Sequence, residues 1–170
     1  MNSVVVRPAV PADAARLVKL RRKLFAETQF MLLDPSEFRS TAKDEAQRIR
    51  LFDAKANALI LVAQDGEVLV GTLVASSNEL LRLAHSAVLA LGIGQSHWGK
   101  GIGSRMIAEA VAWSRQNGIR RLELTVHTTN LRAIAVYLRA GFQVEGLRRA
   151  SLVIDGRYVD EYLMAIIEDG

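Results

Sequence analysis

The sequence predicts an α/β fold in which one mixed sheet of about seven strands is flanked by four helices. Three observations carry this. Short apolar runs alternate with longer stretches of helical periodicity, in the order β-α-α-β-β-β-α-β-α-β-β. Two Asp-Gly pairs, Asp65-Gly66 and Asp155-Gly156, each separate two such apolar runs, as tight hairpins require. A glycine-rich loop, His97-Trp98-Gly99-Lys100-Gly101-Ile102-Gly103-Ser104, follows a strand and opens a helix.

Taken in order, residues 4–6 form a short first strand. Pro11 suits a first helical position, and Leu17, Leu20 and Leu24 recur at helical spacing. In Asp34-Pro35-Ser36-Glu37, an N-cap, a first-turn proline and a glutamate three places on spell the start of a second helix. Phe38, Ala42, Ile49 and Phe52 then share one face of it. Strands at 58–64 and 68–76 flank Asp65-Gly66, and residues 78–84 lead to a fourth strand at 87–93. The helix after the glycine loop buries Ile102, Met106, Ala110 and Trp113 and stops at Asn117-Gly118, as a left-handed cap would. Residues 122–127 form a fifth strand, and residues 130–140 a short helix closed by Gly141, with Phe142 in contact behind it. Residues 143–154 and 158–167 make a last hairpin around Asp155-Gly156.

The 170 residues are 50% hydrophobic and 24% charged, an ordinary globular balance for a single domain over residues 1–170. No apolar run approaches the length of a membrane span, and Met1-Asn2-Ser3 has neither a basic segment nor a cleavage site. The expectation is a cytoplasmic protein without a membrane partner. With no cysteine there is neither a disulfide framework nor a thiolate nucleophile. His85, His97 and His127 lack short-spaced partners, so no metal is expected. A formal charge of +4 is compatible with a polyanionic ligand but does not demand nucleic acid. Arg120-Arg121 and Arg21-Arg22-Lys23 read as solvated faces.

Glycines at alternate positions leave backbone N–H groups unshielded where a helix dipole also favours negative charge. The loop is therefore a cradle for a phosphate or pyrophosphate. A P-loop is excluded by order, because Lys100 precedes Gly101 and Ile102 rather than following the last glycine. The dinucleotide fingerprint is met by Gly99 and Gly101 but fails at Ser104, and no second nucleotide-binding half follows.

A second motif comes later in the chain: Asn130, Ala133, Tyr137, Gly141 and Phe142. Together with Trp98-Gly99-Lys100-Gly101-Ile102-Gly103, it resembles the acetyl-CoA loop and the Asn…Tyr segment of the GCN5-related N-acetyltransferase (GNAT) superfamily. Trp98 stands where that family usually has Gln or Arg, a change expected to alter local packing rather than binding. The closing segment, Glu145-Gly146 with residues 155–161, is similar to the branch of amino-acid N-acyltransferases.

The resemblance implies a mostly antiparallel sheet splayed between its fourth and fifth strands, with acetyl-CoA as cosubstrate. Leu91, Gly92 and Ile93 would pair with the pantetheine arm, and residues 98–104 would hold the pyrophosphate: Trp98, Gly99, Lys100, Gly101, Ile102, Gly103 and Ser104. Gly92 and Gly94 permit close approach there, or else mark a bulge. Asn130 would contact the pantetheine region while also serving as an N-cap. Tyr137, two turns on and on the same helix face, would protonate the departing thiolate.

The general base stays open. Many family members place a Glu on the fourth strand, but residues 87–93 hold no ionisable side chain. The candidates are His85, Glu123, His127 and Glu27; Glu123, Thr125 and His127 alternate onto one face of their strand. Substrate contacts are expected from residues 27–33 and the 155–158 hairpin tip, with Glu27 for an ammonium group, Phe30 beside it, and Arg148, Arg149 or Arg157 for a carboxylate.

The expected function is transfer of an acetyl group from acetyl-CoA to a primary amine of a small molecule, an amino acid or related metabolite, by direct attack. A protein N-terminal or lysine acetyltransferase, or an acyl-CoA-binding sensor without turnover, are the alternatives. A homodimer built on the last hairpin is compatible with the pattern.

Overall fold

The computed structural model describes residues 4–168, so Met1-Asn2-Ser3 lies outside the described residues. The elements are β1 (Val5–Pro8), α1 (Ala14–Glu27), α2 (Ala42–Asp53), β2 (Ala58–Asp65), β3 (Val68–Ser77), β4 (Ser86–Ile93), α3 (Ile102–Gln116), β5 (Arg121–His127), α4 (Leu131–Arg139), β6 (Gln143–Ile154) and β7 (Arg157–Ile167). One seven-stranded sheet has the order β1-β2-β3-β4-β5-β7-β6. Every neighbouring pair is antiparallel except β4 and β5, which run parallel.

Burial explains the two layers. In β2, Ile60 and Val62 join Leu17, Leu20, Leu24 and Ile49 in the cluster beneath α1 and α2. Leu61 and Ala63 join Leu73, Leu89, Met106, Ile107, Leu122 and Leu124 in the larger cluster beneath α3 and α4. Successive side chains thus feed opposite cores, which is why β2 reads as an unbroken apolar run. In β5 the alternation is partial. Leu122, Leu124 and Val126 enter the α3–α4 core, which turns Glu123, Thr125 and His127 to the α1 side.

Two expectations are corrected. The second helix starts at Ala42, not after Asp34, and Phe38 is not on its face. Asp34 and Glu37 do form a capping box: Asp34 accepts from the Ser36 N–H at 2.8 Å, and Glu37 from the Asp34 N–H at 2.9 Å. Their reach ends in one 3₁₀ turn, Pro35–Glu37, because Phe38 is extended and turns its ring onto Phe25 with centroids 5.1 Å apart. A second box, Thr41 with Asp44, then caps the true helix. The Arg21 guanidinium stacks over Phe38 at 4.9 Å and pairs at 2.8 Å with the fully buried Glu45 of α2, locking the two helices together.

The first hairpin turns on Gly66-Glu67 rather than Asp65-Gly66, since Asp65 pairs with Val68. Gly66 alone has positive φ (+56°), which suits a turn with glycine at its first central position. The last hairpin needs positive φ at both central residues, and Asp155 (+50°) and Gly156 (+74°) supply it, as the sequence implied. At the other expected stops, Gly118 and Gly141 are left-handed at the ends of α3 and α4. Among the described residues no helix is long and apolar enough to cross a membrane.

Candidate active site

β4 and β5 pair over only three rows: Ser86 with Arg121, Ala87 with Leu122 and Val88 with Glu123. Beyond Val88 the strands part, each still bonded to its outer neighbour: β4 to β3 as far as Ile93, and β5 to β7 as far as His127. A seam therefore opens in the middle of the sheet. Backbone groups along such a seam need partners, and an extended ligand arm can supply them. Leu91, Gly92 and Ile93 lie along it.

Gly92 is tightly packed. A Cβ there would stand 2.8 Å from Leu24 Cδ1 and 3.4 Å from the Met31 Sδ and Cε, so the end of α1 sits directly on β4. The register with β3 is unshifted along β4, which excludes a bulge at Gly92. Gly92→Ala is expected to lower stability by about 1–3 kcal/mol through overpacking, measured by urea unfolding. An unchanged midpoint would show that residues 24–31 give way freely.

The seam runs into the glycine loop. Residues Gln95–His97 make a 3₁₀ turn, and the Trp98 indole N–H donates to the Ile93 carbonyl at 2.7 Å. The Arg132 guanidinium of α4 lies 4.2 Å from the Trp98 ring centroid. Trp98 thus pins the loop across the seam's end, a packing role consistent with its replacing a polar residue. Gly99 (φ +74°) and Gly101 (φ +73°) are both left-handed, and a Cβ on either would point into open space. Gly101 is the N-cap of α3 and supplies no side-chain cap. The first-turn N–H groups of Ile102, Gly103 and Ser104 therefore lack a side-chain partner at the mouth of a 15-residue helix. Ile102 is buried and anchors the helix, whereas Lys100 and Ser104 are exposed. This arrangement fits a pyrophosphate.

Tyr137 approaches the seam from the α3–α4 side. It belongs to the core cluster with Leu89, Leu124 and Val126, and its ring centroid lies 5.8 Å from Phe142. Burial pushes its phenol up to about 12, and among the described residues nothing hydrogen-bonds the hydroxyl. At neutral pH it carries its proton. Asn130 caps α4, its Oδ1 accepting from the Ala133 N–H at 3.2 Å.

On the opposite face is a pocket of about 270 Å³ lined by Gln29, Phe30, His127, Thr128, Thr129, Ile154, Tyr158, Val159 and Asp160. Phe30 stands edge-on to the His127 ring at 5.5 Å, and Gln29 Nε2 donates to Asp155 Oδ2 at 3.1 Å across the rim. His127 is buried, and burial depresses its pKa below the ordinary imidazole value; the Glu161 carboxylate, its register partner on β7, pulls the other way. Glu161 is itself buried and accepts from the Ser151 hydroxyl and, at 3.4 Å, from Arg148.

The remaining candidates lie elsewhere. Glu123 is in the last paired row, at the closed end of the seam, 2.8 Å from Arg121 Nε; Arg121 also holds Glu145. His85 is exposed just before β4, at the end of the strand away from the glycine loop. Glu27 is engaged by the loop itself, accepting from the Gln95 N–H at 3.0 Å. Arg157 and Arg149 are exposed and do not line the pocket. Gln29 and Phe30 fall within the expected 27–33 connection, whereas Glu161 and Thr128-Thr129 carry no signal in the sequence, because their placement depends on the β5–β7 register and on the hairpin tip folding back to α1. Among the described residues no cluster of three or more His, Asp or Glu side chains could hold a metal.

Comparison with known proteins gives a consistent picture. The profile described as "Acetyltransferase (GNAT) family" matches residues 23–142. L-amino acid N-acetyltransferase AaaT of Escherichia coli (strain K12) is 28% identical over 174 residues, covering 99% of this chain and all of that protein. The crystal structure of a GNAT-family acetyltransferase from Streptococcus pneumoniae superposes with a TM-score of 0.94 at 30% identity, over 98% of this chain and all of that one. YncA from Salmonella typhimurium, a putative acetyltransferase solved with its cofactor acetyl-CoA, shares the fold with a TM-score of 0.88 at 17% identity, over 99% and 95% of the two chains.

Proposed function

This chain belongs to the GNAT acetyltransferase family, and from that premise we propose that it moves the acetyl group of acetyl-CoA to the primary amine of a small molecule, an amino acid or related metabolite. The observation that carries this is the seam between β4 and β5, with an uncapped glycine loop at its end, Tyr137 on one face and a small pocket on the other. The pocket is the size of one small molecule and is bridged at its rim by Gln29 and Asp155, which favours a metabolite over a peptide laid across an open groove. The similarity to an enzyme named for L-amino acid acetylation points the same way.

Acetyl-CoA, when bound, supplies an activated thioester; the chain supplies the rest. The backbones of Leu91, Gly92 and Ile93 offer an added-strand partner along the seam, and Asn130, at the N-cap of α4, would contact the pantetheine region. The N–H groups of residues 99–104 hold the pyrophosphate. Phe30 and the pocket orient the amine, and Arg157, outside the lining at the hairpin tip, is the candidate partner for a substrate carboxylate. His127, kept neutral by burial, takes a proton from the ammonium so that the free amine attacks. Glu123 faces the same side of the sheet but is held by Arg121, so the base role falls to His127 first. As the C–N bond forms and the C–S bond breaks, Tyr137 gives its proton to the departing sulfur, and the proton shed by the acylated nitrogen returns to the phenolate, leaving the amide, the free thiol and protonated His127, which releases its proton to solvent.

The pH dependence follows with a definite sign. A depressed His127 pKa keeps the base form populated down through the usual imidazole range, so kcat/KM declines only below about pH 6.5. Glu161→Gln removes a charge that raises this pKa, so the acidic limb moves to lower pH. A limb that stays fixed in Glu161→Gln and vanishes in Glu123→Gln would assign the base to Glu123.

The reading is tested by thiol release from acetyl-CoA against amino acids, polyamines, aminoglycosides and short peptides. Turnover confined to one class of small amine is expected. Turnover with peptides alone would make it a protein acetyltransferase, and coenzyme A binding without release from any amine would make it a sensor.

A further inference from the structure

Glu27, the last residue of α1, is tied to the glycine loop by a reciprocal pair of hydrogen bonds. Its Oε2 accepts from the Gln95 backbone N–H at 3.0 Å, and the Gln95 side-chain amide donates to the Glu27 carbonyl oxygen at 2.8 Å. Lys23, one turn earlier, stands 3.5 Å from the other carboxylate oxygen. Both oxygens of Glu27 therefore have partners already, which leaves little capacity for an incoming ammonium. Two residues on, Gln29 bridges to Asp155 at the hairpin tip, and Phe30 lies against His127. Gln95, for its part, opens the turn that leads into Trp98 and the left-handed glycines. Gln95, Glu27, Gln29 and Asp155 thus form a short polar run from the loop to the rim of the pocket.

We propose that Glu27 is a positioning residue that couples the donor loop to the acceptor pocket. Settling of coenzyme A in the loop fixes Gln95, Gln95 fixes Glu27, and residues 28–31 then set the Gln29–Asp155 bridge and the Phe30 wall of the pocket. Coupling of this kind is reciprocal, so a seated acceptor also steadies the loop. The inference rests on the loop as donor site and the pocket as acceptor site.

The test uses coenzyme A alone as the probe, with binding followed by calorimetry and backbone order by hydrogen exchange. In the wild-type protein, coenzyme A is expected to slow exchange in residues 28–33 and 155–158 as well as in the loop. Glu27→Ala should still bind coenzyme A, about 3- to 10-fold more weakly, the span of one net hydrogen bond, and should lose the slowing at 28–33 and 155–158. Glu27→Gln should retain most of it, because the amide oxygen still accepts from the Gln95 N–H. Gln95→Ala, a side chain remote from the pocket, should weaken it in part. Full protection in Glu27→Ala with coenzyme A bound would overturn the coupling. So would turnover in which Glu27→Gln is as impaired as Glu27→Ala while Gln95→Ala is silent, since that is the pattern of a direct ammonium contact. Absence of any coenzyme A binding by the wild type would remove the donor-site reading, and the coupling with it.

Discussion

Tyr137→Phe is expected to lower kcat by about 100- to 10,000-fold, the range for loss of one positioned general acid, while leaving the KM for acetyl-CoA within a few fold. The cause is local. Tyr137 is buried at the seam, its hydroxyl has no hydrogen-bond partner among the described residues, and burial alone pushes its pKa up to about 12. Such a phenol is protonated throughout the neutral range and holds that proton next to the place where negative charge would develop on sulfur. Phenylalanine keeps the ring against Phe142 and the packing with Leu89 and Leu124, so the fold and donor affinity should persist. Steady-state kinetics and a thermal melt decide it together. A fall in kcat with an unchanged melt supports the proton-donor role, whereas unchanged kcat makes Tyr137 a core residue and moves the acid to solvent.

The second large effect is expected at the glycine loop. In Gly99→Val/Gly101→Val each valine must occupy a left-handed conformation, at about 1–2 kcal/mol apiece, or the loop must rearrange. Because the unliganded loop relaxes from that strain and coenzyme A must restore it, the two costs together correspond to roughly 100-fold weaker coenzyme A binding. The new side chains would also fill the open space that both glycines face. Calorimetry with coenzyme A reads the loss directly. The α3 core contacts of Ile102 and Met106 are untouched, so a variant that still melts cooperatively but binds weakly isolates the loop. Binding at wild-type strength would show that the pyrophosphate is held elsewhere.

Much of this was legible in the sequence, and the reason lies in how local each signal is. The glycine loop, the Asn130 cap, the Gly118 and Gly141 stops and the Asp155-Gly156 turn are each set by backbone conformation within a few residues. The misplaced start of α2 shows the limit of that logic. Asp34 and Glu37 make a genuine capping box, yet Phe38 leaves the helical path because Phe25 and Arg21, on another helix, offer its ring a better place. The first hairpin turn slipped by one residue for a similar reason, since the strand register places Asp65 opposite Val68 and leaves Gly66 to turn first.

The candidate site divides along the same line. The loop of the donor half, residues 91–104, is one continuous segment, so its glycine pattern stands out in the sequence. The acceptor half is assembled from Gln29 and Phe30 after α1, His127 at the end of β5, and residues 154–160 of the last hairpin. No spacing in the chain reports that assembly. Glu161 is the sharpest case: it meets His127 only through the β5–β7 register, so nothing in its own neighbourhood marks it. Glu27 illustrates the converse. Its place at the start of the 27–33 connection suggested a carboxylate for an ammonium group, and in the fold that carboxylate also meets the Gln95 N–H and Lys23.

The most direct test of the whole account is a crystal structure of this protein with coenzyme A. The predicted result has the pantetheine arm in the seam against Leu91–Ile93, the pyrophosphate on the N–H groups of residues 99–104, and the thiol within hydrogen-bonding reach of the Tyr137 hydroxyl, opening toward His127. Coenzyme A lying outside the seam, or a thiol directed away from both Tyr137 and the pocket, would contradict it.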